Sequence, residues 1–174
     1  MTSSFDFSFK SPSQVVFADE SVDSVDERGT APYLQEDMDE SDFKDILRNR
    51  RIVIAEDEGI TLLLLKTFLS HAGLSVVGTA VNGERAYETI TRERPEIVLL
   101  DIKLPGPMNG LDTARKVFEV YRPCVLILSA YSDYRDEARE LGINGYIVKP
   151  VEKNKLLAEI TEAYQQYRSS LTSH

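Results

Sequence analysis

The chain has 174 residues and a mass of 19.6 kDa, room for one ordinary domain with an appendage and too little for two full domains. Apolar residues make up 42% and charged residues 28%, an ordinary globular balance. Twenty basic against twenty-nine acidic side chains leave a net charge of −9, a field that repels a polyanion such as DNA and argues against a nucleic-acid partner.

One cysteine, Cys124, can form neither an internal disulfide nor a zinc site, so a reducing cytoplasmic setting is expected. No apolar run approaches the roughly 18–20 residues that span a bilayer. The N-terminus lacks a basic stretch followed by an apolar one, which excludes a secretory signal and leaves no membrane partner to expect.

The acidity is concentrated at the start. Residues 1–50 hold twelve acidic and five basic side chains, and the remaining 124 hold seventeen and fifteen. The chain therefore reads as a nearly neutral body behind an acidic leader. Residues 1–40 are rich in Ser, Asp, Glu and Pro and show no sustained period, so a disordered extension is expected there. The alternation Phe5, Phe7, Phe9 is the one place where a short docking strand would fit. Over 41–50, Ser41 is placed to cap a short helix or linker carrying Phe43, Ile46 and Leu47 and ending in Arg48, Arg50 and Arg51. Such a helix is marginal alone and needs a surface to lie on.

From Arg51 the pattern changes. Short, continuously apolar runs at Ile52–Ala55, Leu74–Val77, Ile97–Leu100, Val125–Leu128 and Tyr146–Val148 alternate with helix-period segments. The helical segments are marked by Leu65, Phe68, Leu69 and Ala72, by Asn82–Glu93, by Leu111–Tyr121, by Tyr134, Ala138 and Leu141, and finally by Leu156, Ile160, Ala163, Tyr164 and Tyr167. Gly73 and Gly142 stand where helices should stop, and Pro95 and Pro123 precede strands. Strict alternation predicts an α/β fold: a doubly wound domain over 51–170 with a parallel five-stranded sheet, and a tail at 171–174. The fold expected for it is the flavodoxin-like (βα)5 one, whose strand order is 2-1-3-4-5.

The polar residues at the ends of these runs carry the chemistry. The first run leads into Glu56-Asp57-Glu58, the third into Asp101, the fourth into Ser129 and the fifth into Lys149-Pro150. In an open parallel sheet these carboxyl ends share one edge, and ligands bind where the strand order reverses, here between the first and third strands. Carboxylates crowded there repel one another unless a cation is present. An all-oxygen set with few protein ligands suits Mg²⁺. A lysine and a hydroxyl beside it suit a phosphoryl group attacked in line by a carboxylate, which forms an acyl phosphate. The composite reads as an aspartate that becomes phosphorylated.

Four stretches, IVIAEDE (52–58), IVLLDIKLPGPMNG (97–110), LILSAYS (126–132) and GYIVKP (145–150), resemble the receiver domain of bacterial two-component response regulators. The resemblance covers about 120 residues and implies a role for each site residue. Asp101 accepts the phosphoryl group from a histidine kinase or phosphotransfer protein. Asp57, Asp101 and the backbone carbonyl of Lys103 bind Mg²⁺, with Glu56 acting through water. Lys149 contacts the phosphoryl oxygens, Ser129 swings toward them, Tyr146 turns inward as a coupled aromatic switch, and the Lys149–Pro150 bond is cis.

This sequence departs from the family pattern in three places. The loop from Asp101 to Gly110 is one residue longer than the commonest form, Asn109 replaces the usual Asp before that glycine, and Lys103 and Tyr131 flank the path of attacking water, where their bulk is expected to slow hydrolysis of the acyl phosphate. Plainer roles stand beside these: Ser129 as a helix cap, Tyr146 as a core aromatic, and Lys149-Pro150 as an ordinary turn. With 24 residues after Pro150, the chain is expected to be a stand-alone signalling module and not an enzyme. Its unidentified output protein would bind the face built from the fourth helix of the body, the fifth strand and the fifth helix, near Tyr134, Tyr146, Tyr164 and Tyr167. That face would also serve a weak homodimer, or the chain would pass phosphate onward in a relay. A haloacid dehalogenase-like Mg²⁺-dependent phosphatase is the alternative, opposed by Lys103 where those enzymes carry a second Asp as general acid. A flavin mononucleotide site is opposed by the repulsion of Glu56-Asp57-Glu58 for phosphate.

Overall fold

A computed structural model describes residues 40–172. The acidic extension before Glu40, the Phe5–Phe9 alternation, the side chain of Ser41 and the last two residues lie outside what is described. In chain order the elements are α1 (Glu40–Leu47), β1 (Arg51–Ala55), α2 (Gly59–His71), β2 (Ser75–Ala80), α3 (Gly83–Glu93), β3 (Ile97–Asp101), α4 (Gly110–Phe118), β4 (Cys124–Ser129), α5 (Arg135–Leu141), β5 (Gly145–Val148) and α6 (Lys153–Thr172).

The strands form one parallel sheet in the order β2-β1-β3-β4-β5, the doubly wound arrangement that the alternating runs predict. Because successive strand residues face opposite sides, each apolar run feeds two cores. Ile52, Ile54, Leu99 and Leu126 pack under α1, α2 and α6. Val53, Val98, Leu100 and Ile127 pack under α3, α4 and α5. Coverage on both faces explains why the runs are continuous instead of alternating.

Helix ends follow local chemistry. Asn82 caps α3 by accepting from the Arg85 N–H at 2.9 Å, and Asn109 and Asp112 form a reciprocal capping box at the start of α4. Gly142 ends α5 in the left-handed region, φ +84°.

Two expected boundaries move. β2 starts at Ser75 and continues through Gly78 and Thr79 to Ala80, because an edge strand with one partner need not be apolar throughout. The helix expected over Leu111–Tyr121 stops at Phe118. Beyond it the Tyr121 hydroxyl donates to the backbone carbonyls of Pro95 and Ile90 at 3.3 and 3.4 Å, which holds the residue out of the helix. The short helix α1 finds its surface: Phe43 and Leu47 are buried in the same core as Leu157, Ile160 and Tyr164 of α6. Among the described residues no helix is long and apolar enough to cross a membrane.

Candidate functional site

The sheet carries Glu56, Asp101, Ser129 and Lys149 at or just past the carboxyl ends of β1, β3, β4 and β5. The Glu56 N–H donates to the Ala80 carbonyl at 3.0 Å, which extends the β1–β2 ladder by one step and fixes Glu56 inside the edge. The Glu56 side chain is 0% exposed and Asp101 is 5% exposed, while Asp57 is exposed.

Lys149 ties the two buried carboxylates together. Its Nζ donates to Asp101 Oδ2 at 2.6 Å and to Glu56 Oε2 at 2.7 Å. The other oxygen of each acid is also engaged: Asp101 Oδ1 accepts from the Lys103 N–H at 2.9 Å, and Glu56 Oε1 accepts from the Glu58 N–H at 3.2 Å. One carboxylate oxygen from each of Glu56, Asp57 and Asp101 lies within 4.8 Å of the others. Sequence position puts these acids and the lysine at one edge, and the structure joins them in one cluster.

The electrostatics follow from burial and crowding. Burial pushes the Glu56 carboxyl above its ordinary range, and the nearby Asp101 charge adds to this, against the pull of Lys149. Burial opposes the Lys149 ammonium, but its hydrogen bonds to Asp101 and Glu56 outweigh that cost and hold its pKa above the usual lysine value. Three carboxylates facing one ammonium leave two negative charges unbalanced. A hard divalent cation matches both that deficit and the oxygen-only donors. Glu56, Asp57 and Asp101 thus fit a magnesium ion.

Two glycines make room for the loop after Asp101. A Cβ on Gly110 would stand 2.2 Å from the Asp101 carbonyl oxygen, and one on Gly83 would stand 2.1 Å from that of Met108. The longer loop closes through the Gly110 N–H donating to the Ile102 carbonyl at 3.0 Å, with Gly106 at φ +100° turning its tip. Asn109 acts there as the cap of α4, a role its amide fills as an aspartate would.

Ser129 and Tyr146 meet at Tyr131, a residue whose sequence position suggests only a place on the water path. Tyr131 donates its N–H to Ser129 Oγ at 3.1 Å and accepts from the Tyr146 hydroxyl at 2.6 Å through its carbonyl. Tyr146 is buried in the core with its ring beneath the Arg135 guanidinium. Lys103 Nζ lies 4.4 Å from the centre of the Tyr131 ring, which links the loop after β3 to the loop after β4. The Ser129–Tyr131 bond is local, but only spatial proximity shows the contacts that join Tyr131 to Tyr146 and Lys103. The Lys149–Pro150 peptide is cis, as the resemblance implies.

The tyrosines expected on an output face need correction. Tyr134 is 38% exposed, but Tyr146 and Tyr164 are buried. Tyr164 is covered by α1 and donates its hydroxyl to Glu96 at 2.7 Å, at the opposite edge of the sheet. Sequence reasoning also misses the exposed apolar face of α2. Ile60 and Leu63 are 75% and 66% exposed and Leu64 is exposed beside them. Next to this patch lies a groove of about 410 Å³ lined by Leu64, Phe68 and the site residues Glu58 and Lys149. The unbroken apolar stretch from Leu62 to Leu65, with Ile60 before it, is the available signal, because one buried stripe does not account for it.

Comparison with known proteins agrees with this architecture. The family model for the response regulator receiver domain matches residues 52–161. The chain is 32% identical over 121 residues to the transcriptional regulatory protein PdtaR of Mycobacterium tuberculosis, covering 68% of this chain and 58% of that protein. It thus spans little more than half the length of that relative. It is 34% identical over 125 residues to the sporulation initiation phosphotransferase F of Bacillus subtilis, covering 70% of this chain and 95% of that one. The signal receiver domain of a modulated diguanylate cyclase from Desulfovibrio desulfuricans G20 superposes with a TM-score of 0.65 at 27% identity, covering 70% of this chain and 98% of that domain. Receiver domains bind Mg²⁺ through acidic residues, are phosphorylated by histidine kinases or phosphotransfer proteins, and act as phosphoacceptor signalling domains. By the family model's span over most of the folded body, this chain belongs to the response regulator receiver domain family of two-component signalling.

Proposed function

We propose that Asp101 is the phosphoacceptor and that a histidine kinase or histidine phosphotransfer protein supplies the phosphoryl group. The supporting observation is Lys149 Nζ held 2.6 Å from Asp101 Oδ2 inside a cluster that also holds Glu56 and Asp57. In the transfer an Asp101 oxygen bonds to phosphorus as the bond from phosphorus to the donor's imidazole nitrogen breaks. The imidazole then takes a proton from water. Lys149 is placed to follow the charge from the carboxylate to the phosphoryl oxygens. A magnesium ion on Asp57, Asp101 and the Lys103 carbonyl, with Glu56 behind a water, would neutralise the same oxygens when bound.

The exposed apolar face of α2 suits the donor. A protein carrying phosphohistidine must reach Asp101, and Ile60, Leu63 and Leu64 lie beside a groove that ends on Lys149. Signal output then passes through Tyr131, which touches both Ser129 and Tyr146. Drawing the Ser129 hydroxyl toward a phosphoryl group releases the Tyr131 N–H and biases Tyr146, which alters the surface around Tyr134, α5 and β5. That surface contacts the output protein, a second copy of the chain or the next member of a relay. The phosphatase alternative needs a proton donor two residues after Asp101, and Lys103 there lies against the Tyr131 ring.

Incubation with Mg²⁺ and acetyl phosphate, read by intact mass, tests the assignment. The chain is expected to gain one phosphoryl group and Asp101→Asn none. An unchanged gain in Asp101→Asn would refute it.

A further inference from the structure

The edge of the sheet opposite the carboxylate cluster has the reverse charge. Arg50, Arg94 and Arg122 stand just before β1, β3 and β4. Backbone bonds hold this edge level: Ser75 N–H to the Arg50 carbonyl at 2.8 Å, Glu96 N–H to the Arg51 carbonyl at 3.0 Å, and Cys124 N–H to the Glu96 carbonyl at 3.0 Å. Each guanidinium rests on an aromatic ring, Arg50 on Tyr164 at 5.7 Å, Arg94 on Tyr121 at 5.1 Å and Arg122 on Phe118 at 4.9 Å. Stacking orients a guanidinium in advance and leaves its N–H rim free for carboxylates.

The acids of this edge are already engaged, Glu93 with Arg51 and Arg92, and Glu96 with Arg50. Arg94 and Arg122 are exposed and have no ion-pair partner among the described residues. At Arg50 a groove of about 660 Å³ between α1 and α6 is lined by Arg50, Tyr164 and Arg168 on one hand and Asp45 on the other. The Arg50 Nε is buried there without a hydrogen-bond acceptor.

We propose that this arginine edge is the docking surface for the chain's own acidic segment, residues 1–39. The segment holds nine acidic and two basic side chains, with paired acids at Asp19-Glu20, Asp26-Glu27 and Glu36-Asp37. It joins the body at Glu40, the first residue of α1, and α1 supplies one wall of the groove. A five-stranded edge is about 19 Å wide, a span that about six extended residues cover. The opposite edge repels the segment through Glu56, Asp57, Glu58 and Asp101. Covalent connection raises the effective concentration to about the millimolar range, so weak pairings suffice. The overall charge of −9 disfavours a free polyanion as the occupant. Docking leaves the Asp101 edge open and covers the ends of α1 and α6, and it is independent of which residue accepts phosphate.

Paramagnetic relaxation in the ¹⁵N-labelled full chain tests this, with a nitroxide on Ser24→Cys. Cys124 is buried and its thiol pKa is pushed up by burial, so it does not compete for the label. At low salt the amides near Arg50, Arg94 and Arg122 are expected to broaden. The broadening should be lost at about 0.5 M salt, where the Debye length is about 4 Å, and mostly lost in the Arg94→Gln, Arg122→Gln double variant. Broadening that is absent, centred on Glu56–Glu58, or unmoved by the double variant overturns the proposal. Broadening of a ¹⁵N chain mixed with a separately spin-labelled one assigns the contact to a second copy and also overturns it. A short RNA should shift these amides only after the leader acids are changed to amides. Equal binding by the unaltered chain would assign the edge to nucleic acid instead.

Discussion

Lys149 pairs with Glu56 and Asp101 at once, at 2.7 and 2.6 Å, and its single charge offsets part of theirs. Removing it leaves two buried carboxylates facing each other, a change that costs about 3 kcal/mol or more. Lys149→Ala is therefore expected to lower stability most at neutral pH. The Glu56 pKa, already raised by burial, rises further in the variant, so the folded state binds more protons than the unfolded one. Stability then falls as pH increases through the ordinary carboxylate range and above it. Urea unfolding of both chains at pH 5 and pH 7.5 checks this, and a deficit that shrinks at the higher pH contradicts it. Lys103 and Tyr131 act at the same scale. Their contact between the loops after β3 and β4, at 4.4 Å, is of a kind worth about 0.5–1 kcal/mol. Lys103→Ala or Tyr131→Ala is thus expected to shorten the lifetime of the phosphorylated chain by about two- to five-fold. Phosphoprotein decay measured after removal of the donor reads this directly, and an unchanged or longer lifetime would sink it.

Elements differ in how much of them the sequence reveals. β1, β3 and β4 are buried on both faces, so their apolar runs mark them almost to the residue. β2 lies at the edge and mixes Gly78 and Thr79 into its length, and no apolar run could show its far end. Phe43, Ile46 and Leu47 announce α1, yet nothing in their spacing says that the helix lies on α6 and buries Tyr164. The four carboxyl-end residues are legible because strand ends share an edge by topology. The contacts of Tyr131 with Tyr146 and Lys103 and the direct Glu56–Lys149 bond are not, because they depend on side-chain directions. The apolar face of α2 yields a prediction at this scale. Leu63→Ser alters a side chain that is 66% exposed and outside the core. It is expected to slow transfer from a phosphohistidine protein about ten-fold, the kinetic equivalent of about 1.4 kcal/mol of lost binding, while phosphorylation by acetyl phosphate stays unchanged. An equal loss with both donors would place the defect in the site and not in docking.

Across its sheet the described body is bipolar, with carboxylates at one edge and stacked arginines at the other. Net charge hides this, because the body outside the first 50 residues is nearly balanced. Only the fold separates the two signs. A divalent cation at the acidic edge binds the folded chain and not the unfolded one, so Mg²⁺ is expected to raise the thermal midpoint. At about one hundred times the dissociation constant the gain is about 2.7 kcal/mol. Asp57→Asn should lose most of that gain, and chelation should abolish it in the unaltered chain. A full Mg²⁺ response in Asp57→Asn would exclude this carboxylate as a ligand.

The most direct test is chemical location of the phosphoryl group. Borohydride reduces an acyl phosphate on aspartate to homoserine, so the chain phosphorylated with acetyl phosphate and Mg²⁺ is reduced, digested and sequenced. Homoserine at position 101 alone, and none when Mg²⁺ is chelated, is the expected result. Homoserine at position 57, homoserine at no position in a chain that has gained the phosphoryl mass, or a phosphate that survives on a hydroxyl side chain would contradict the account.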